Sequence, residues 1–248
     1  MTIASHQSNK ITPALFISLL LLMNTLCAQQ RFSASLTGGL SIPSGRFADK
    51  GNIMPTGLSD VDGGAKTGWN GNLQLGAALT PHTWATITIG LSGFKRDNET
   101  FEQYLEMIYG NSAEANVGSW KVLKVLAGPS FRLPVGKRFT FRPAISAGIA
   151  KTSIPAVSYT TYGQGGNPLL VAKQTKTKMP AAFAYQGGLG WGYRLGKQVT
   201  LLADLNFFGA QAKFEYKTPA IGTGSPGSMK YEYALNAYSV SAGVEFSF

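Results

Sequence analysis

Three arginines and two carboxylates are the residues of this 248-residue chain whose types and placement could act together. Arg132, Arg142 and Arg194 each occupy a polar position near one end of an alternating segment, and Glu245 sits at a similar depth in the last such segment. Asp204 lies one layer further along its own segment. Guanidinium groups facing carboxylates in a confined space form bidentate, charge-assisted hydrogen bonds. Such a set either closes the space as a salt-bridged plug or, because arginine outnumbers acid, leaves a positive constriction that passes small anions.

Catalysis has little to draw on. Of the two histidines, His6 falls in the N-terminal leader and His82 in a tight turn beside Pro81, so no Ser/His/Asp set, Cys/His pair or histidine metal cluster forms. Glu99, Glu102 and Glu106 read as a solvated loop face, and a carboxylate-only hydrolase acting on lipid or peptide is the third-ranked alternative. No catalytic residue, metal ligand or cofactor is expected.

These side chains must be positioned by strands. Eight segments alternate apolar and polar or small residues with a period of two. The first, Arg31 to Ile42, sets Phe32, Leu36 and Leu40 against Ser33, Ser35 and Thr37. Segments Gly68 to Leu79, Trp84 to Phe94, Trp120 to Leu133, Phe139 to Ala150 and Phe183 to Leu195 repeat the pattern. The seventh begins at Val199, and its parity reverses beyond Phe208, which predicts a bulge near Phe207 to Gly209. The eighth, Tyr238 to Phe248, is apolar at every even position and ends on an aromatic ring. Pro129 and Pro143 interrupt the fourth and fifth segments, where local bulges are expected to absorb their missing N–H groups. The polar face is rich in glycine, including Gly128, Gly148, Gly188 and Gly190, so the enclosed space is expected to be narrow and lined by small or polar residues.

The connections alternate in length. Thr80 to Thr83, Pro134 to Arg138 and Leu195 to Lys197 are tight, while Pro43 to Thr67, Lys95 to Ser119, Lys151 to Ala182 and Lys217 to Glu232 are long. Short turns on one side and long loops on the other are what an eight-stranded antiparallel, up-and-down transmembrane β-barrel requires, with both termini on the short-turn side. Aromatic residues fall into two bands, one with Trp84, Phe139, Phe141, Trp191 and Tyr193 and the other with Trp69, Phe183, Tyr185, Tyr216 and Tyr238. Within the Lys95 loop, the Phe101, Leu105 and Ile108 spacing fits a short amphipathic helix, with a mobile loop as the alternative.

The N-terminus carries Lys10, an apolar run from Ala14 to Leu26 and a small residue at Ala28, the pattern of a secretory signal over residues 1–28 with the barrel over 29–248. Its apolar run is shorter than the ~20 residues of a spanning helix. Cleavage there would remove Cys27, the only cysteine, and lower the formal charge from +10 to +9. The basic residues are dispersed, and nucleic acid is not an expected partner. A mean hydropathy of +0.01 suits a soluble chain, but alternation makes averages cancel in a barrel.

With its terminal Val244, Phe246 and Phe248 pattern, its leader and its loop alternation, the chain resembles the porin-like outer-membrane β-barrel-domain family. The likeness is to the small eight-stranded barrels akin to OmpX and the membrane domain of OmpA. It implies a multi-pass barrel of the cell outer membrane, in contact with outer-membrane lipid and lipopolysaccharide, assembled by the barrel-assembly machinery and able to meet an extracellular protein partner. The expected role is structural or in surface interaction within the cell envelope, with a mostly filled lumen. A narrow, weakly anion-selective channel for small solutes is the alternative. Lys173, Lys176 and Lys178 are candidates for docking on lipopolysaccharide phosphates.

Overall fold

The computed structural model describes residues 32–50, 62–109, 112–163, 166–174, 176–218 and 227–248. The leader, and residues 219–226 of the last long loop, lie outside them. Eight long strands form the body: β1 (Phe32–Ser44), β2 (Ala65–Ala78), β3 (Thr83–Arg96), β4 (Trp120–Phe131), β5 (Phe139–Lys151), β6 (Ala182–Arg194), β7 (Val199–Thr218) and β8 (Asn236–Ser247). Each pairs antiparallel with its neighbour in sequence, and β8 returns to β1 from Ser33 opposite Ser247 to Ser44 opposite Asn236. The sheet is therefore a closed ring of eight strands.

The two-residue period decides what each face meets. In β1, Leu36 is 63% exposed on the outside while Ser35 is 4% exposed on the inside. Leu40, Ile87, Ile89, Val125, Ile149 and Val240 are likewise exposed around the ring. Strands of 12 residues or more exceed the roughly 9 to 11 that cross a bilayer at a tilt. A continuous apolar belt on a sheet without edges is a lipid-facing surface, and the barrel spans a membrane. Rings pair on the outside at two levels: Phe139 with Tyr193 (5.0 Å) and Phe141 with Trp191 (5.8 Å) near the tight turns, and Phe207 with Tyr238 (5.1 Å) and with Tyr185 (6.2 Å) near the long loops.

Closure depends on close backbone approach. A side-chain carbon on Gly39 would overlap the Val240 carbonyl oxygen, and one on Gly243 would overlap the carbonyl oxygen of Leu36. Both glycines lie at the β1–β8 seam that completes the ring.

Several sequence expectations change. No bulge interrupts β7, whose register with β8 runs unbroken from Val199 opposite Phe246 to Phe208 opposite Ala237. Phe208, Ala210 and Ala212 point inward and are buried because the interior itself becomes apolar there. The strand keeps its parity, and its surroundings change instead. Trp84 is not part of the outer aromatic band: it shares its face with Thr86 and Thr88 and is buried inside. Neither proline shifts the register. The β4–β5 ladder lapses at Gly128 and Pro129 yet resumes in step, with Ala127 opposite Ala147 and Ser130 opposite Ala144.

Beyond the long-loop end stands a small second layer. Helix α1 (Asn98–Tyr109) buries Phe101 and Leu105 against Ala113 and Val157. Beneath it Val157–Tyr162 forms the middle of a three-stranded sheet, flanked by Ala113–Val117 and Pro168–Gln174. Glu102 and Glu106 accept hydrogen bonds from the backbone N–H groups of Ala115 and Ala113, which ties the helix to that sheet. Gly227–Ala234 continues the β7 hairpin outward, pairing with Gln211 through Thr218.

Candidate functional site

At the tight-turn end, the residue after β4 and the strands β5 and β8 bring Arg132, Arg142 and Glu245 together. Arg132 Nη2 and Arg142 Nη2 both donate to one oxygen, Glu245 Oε2, at 2.8 and 2.7 Å. Arg132 Nη2 also reaches Ser33 Oγ at 2.8 Å across the barrel, and its guanidinium stacks 3.3 Å from the Trp84 ring centre. Glu245 is 3% exposed and Arg142 7% exposed. Alternation fixes this: the three side chains occupy inward positions at one depth, where a narrow barrel leaves nowhere else for them.

Arg194 and Asp204 stand apart from those ion pairs. Arg194 is exposed and lines an open vestibule of about 560 Å³ at the turn end, with Lys197, His82 and the outer sides of Arg132 and Arg142. Asp204 lies deeper, lining a cavity of about 50 Å³ among Thr86, Thr88, Ser146 and Asn206, with room for little more than water. His82 is a turn residue whose Nδ1 lies 3.1 Å from the Arg132 carbonyl oxygen. Among the described residues no group of three His, Cys, Asp or Glu side chains could hold a metal ion.

A polar layer follows above the cavity. Lys124 donates to Gln186 Oε1 at 2.6 Å, and Gln186 Nε2 donates to Asn206 Oδ1 at 3.3 Å. Opposite, Asn70 Oδ1 accepts from Asn72 Nδ2 and from Ser241 Oγ. The Lys124 ammonium lies 5.1 Å from the Phe208 ring centre, at the border of the next block.

That block is apolar. Phe47, Phe94, Trp120, Val122, Leu126, Phe208, Tyr233 and Leu235 fill the long-loop half of the interior, and Trp120 is wholly buried. Phe47 meets Phe94 and Trp120 edge-on at 4.9 and 5.7 Å. The interior is therefore small and polar only in its turn-end half, contrary to the expectation for the whole lumen. Phe94, Val122 and Leu126 share parity with Thr88 and Lys124, a signal that the expectation of a small, polar lumen overlooked, but Phe47 comes from a loop and Tyr233 from an extended hairpin, outside any barrel period.

The first long loop is pinned over this plug. Trp120 Nε1 donates to the Gly63 carbonyl at 3.0 Å, and the Asp97 N–H donates to the Gly64 carbonyl at 2.9 Å. The fully buried Asp97 carboxylate pairs with Lys66 at 3.0 Å and with Lys50. Burial alone would raise its pKa, but hydrogen bonds and charge from Lys50 and Lys66 outweigh this and hold it down at about 2.

No protein-family model matches the chain, and no curated protein matches its sequence. Among solved structures it is similar to a major outer membrane protein from Thermus thermophilus, with 12% identity over 89% of this chain and 100% of that one and a TM-score of 0.49. It is also similar to the outer membrane protein OprG from Pseudomonas aeruginosa, with 10% identity, 89% and 98% coverage and a TM-score of 0.46. For Neisserial surface protein A the values are 10%, 88% and 97%, and 0.44.

Proposed function

We propose that the chain is an integral outer-membrane barrel with its tight turns in the periplasm, a closed lumen, and a structural or surface-interaction role carried by its outer layer. The observation that supports this most is the stacking of two different obstructions along one axis. The Arg132–Glu245–Arg142 layer closes one end, and the aromatic plug around Trp120 closes the other. Between them the cavity of about 50 Å³ is too small for a solute path. On this reading residues 1–28 are a secretory signal, the Val244, Phe246 and Phe248 pattern addresses the assembly machinery, and exposed Lys173, Lys176 and Lys178 face lipopolysaccharide phosphates. An extracellular protein partner would meet the sheet of Val157–Tyr162 and its neighbours.

The narrow anion channel keeps one supporting observation, the basic vestibule at the turn end. Planar-bilayer recording and liposome swelling separate the two readings. The closed barrel gives background conductance and no sugar uptake, and any residual current is anion-selective. A large or cation-selective conductance would sink both.

A further inference from the structure

Near the long-loop end of the barrel wall, β6 and β7 separate. Their pairing runs from Arg194 opposite Thr200 up to Ala184 opposite Ala210 and goes no further. Beyond that point β7 continues to Thr218 with Gly227–Ala234 paired along its other side. The chain leading into β6 stays with the β5 side instead: Thr177–Lys178 pairs with Ser153–Ile154, and the Met179 N–H donates to the Thr152 carbonyl at 3.1 Å. Pro180 has no N–H with which to carry a ladder across. The result is a wedge-shaped groove of about 590 Å³ on the outer face of the barrel. Ala182 and Ala210 form its floor, and both belong to the apolar plug, so packed side chains and not an open lumen lie behind it.

The groove is continuous with the lipid-facing surface. Phe183 and Tyr185, 68% and 47% exposed, stand at its mouth, and Tyr185 leads through Phe207 to Tyr238 in the aromatic band near the long loops. Its mouth therefore opens where acyl chains meet their headgroups. Alanines on both banks leave the wedge unfilled, and an empty wedge beside hydrocarbon forfeits dispersion contact on every wall. Gln211, Lys213 and Asn236 give the groove a polar side. Lys213 pairs with Glu232 at 3.4 Å, so the amides of Gln211 and Asn236 are the groups suited to a neutral acceptor. We propose that this groove seats one acyl chain of a membrane lipid from the long-loop leaflet, with the carbonyl that joins the chain to its headgroup placed at Gln211 and Asn236. The volume lies within the roughly 300 to 1,000 Å³ of ordinary ligand sites. The proposal rests on the reading of the chain as an outer-membrane barrel and is independent of whether the lumen conducts.

The test uses the mature barrel refolded into dimyristoylphosphatidylcholine vesicles, transferred to non-ionic detergent and weighed by native mass spectrometry as the micelle is stripped away. The barrel should emerge with a single phospholipid attached. Ala234→Phe fills the groove from the β7 hairpin, and Ala181→Trp fills it from the exposed chain before β6. Each should cut lipid retention roughly fivefold or more, since a bulky ring then occupies the space of the chain. Ala127→Phe, at an outward position of the belt away from the groove, should retain the lipid as wild type does. Heat-modifiable gel migration, expected in all four proteins, reports the membrane barrel separately, so its failure is told apart from failure of the site. A spread of lipid numbers unchanged by the two groove variants would mean bulk lipid only. A lipid-free dimer would mean that a second copy covers the groove. Either result overturns the proposal, as does equal loss of lipid in Ala127→Phe.

Discussion

Glu245 is the residue on which the turn-end layer depends, because both arginine forks converge on its single oxygen Oε2. Glu245→Gln keeps the shape and removes the charge, leaving a buried and a partly buried guanidinium group facing a neutral amide. Loss of one partner from a buried ion pair destabilises by about 3 to 5 kcal/mol, so the urea midpoint of the refolded barrel should fall sharply. Replacing Arg132, Arg142 and Glu245 together by Met, Met and Leu should recover much of that loss, since of the charges at this end only the deeper Asp204, which shares its cavity with Arg142, then lacks its cation. A triple variant as unstable as the single one would show that the charges themselves, and not their balance, hold this end. Asp97 makes a different residue-scale prediction. Its folded pKa of about 2 lies below the ordinary carboxylate value near 3.9, so its contribution is complete above about pH 4 and is lost as pH falls towards 2. Amide exchange at Gly63, Gly64 and Asp97, corrected for the intrinsic pH dependence, should stay flat from pH 7 to 5 and quicken below 4. Asp97→Asn should already be fast at neutral pH and lack that acid step.

At the scale of elements, the ring closes because β1 and β8 can approach where one of two facing residues lacks a side chain, Gly39 opposite Ser241 and Gly243 opposite Thr37. Gly39→Val and Gly243→Val place carbon against the carbonyl oxygens of Val240 and Leu36, so neither variant should complete the seam. Both are expected to lose the faster gel migration of the unheated, folded barrel, whereas Gly187→Ala, with open space around the added carbon, should keep it. Strand identity and order were legible in the sequence, because lipid outside and a confined space inside impose a strict two-residue alternation. The limits of that alternation explain the misplaced features. Trp84 had inward parity, alongside Thr86 and Thr88, but a ring near a membrane boundary reads as interfacial until Arg132 is seen stacked upon it. Parity in β7 seemed to reverse because alternation distinguishes faces only while those faces differ. Once the interior turned apolar at Phe208, Ala210 and Ala212, an unbroken strand looked bulged. The Phe101 and Leu105 spacing did carry α1, since a helix lying on a sheet must bury one stripe. Phe101→Ala with Leu105→Ala should therefore speed proteolysis of the outer layer and leave heat-modifiable migration intact.

For the whole molecule, two obstructions of opposite chemistry lie in series along one axis, and their order bears on what any single lesion can do. An ion crossing from the turn end meets the Arg132–Glu245–Arg142 layer, then a cavity of about 50 Å³ capped by the polar Lys124, Gln186 and Asn206, then the packed rings of Phe47, Phe94 and Trp120. Resistances in series add, so removing the smaller leaves the larger in control. Trp120→Ala with Phe94→Ala opens the plug but leaves the charged layer closed. The Met, Met and Leu replacement of that layer, conversely, leaves the rings in place. Each variant alone should stay near background conductance, and combining them should raise current by far more than the sum of the separate effects. Because the vestibule keeps Arg194 and Lys197, that current should favour anions, and the preference should fade as salt rises and screens the rim. Single-channel recording of the three variants side by side tests this. If the plug variant conducts alone, the charged layer is not a barrier and the closed reading fails at that end; if the layer variant conducts alone, it fails at the other.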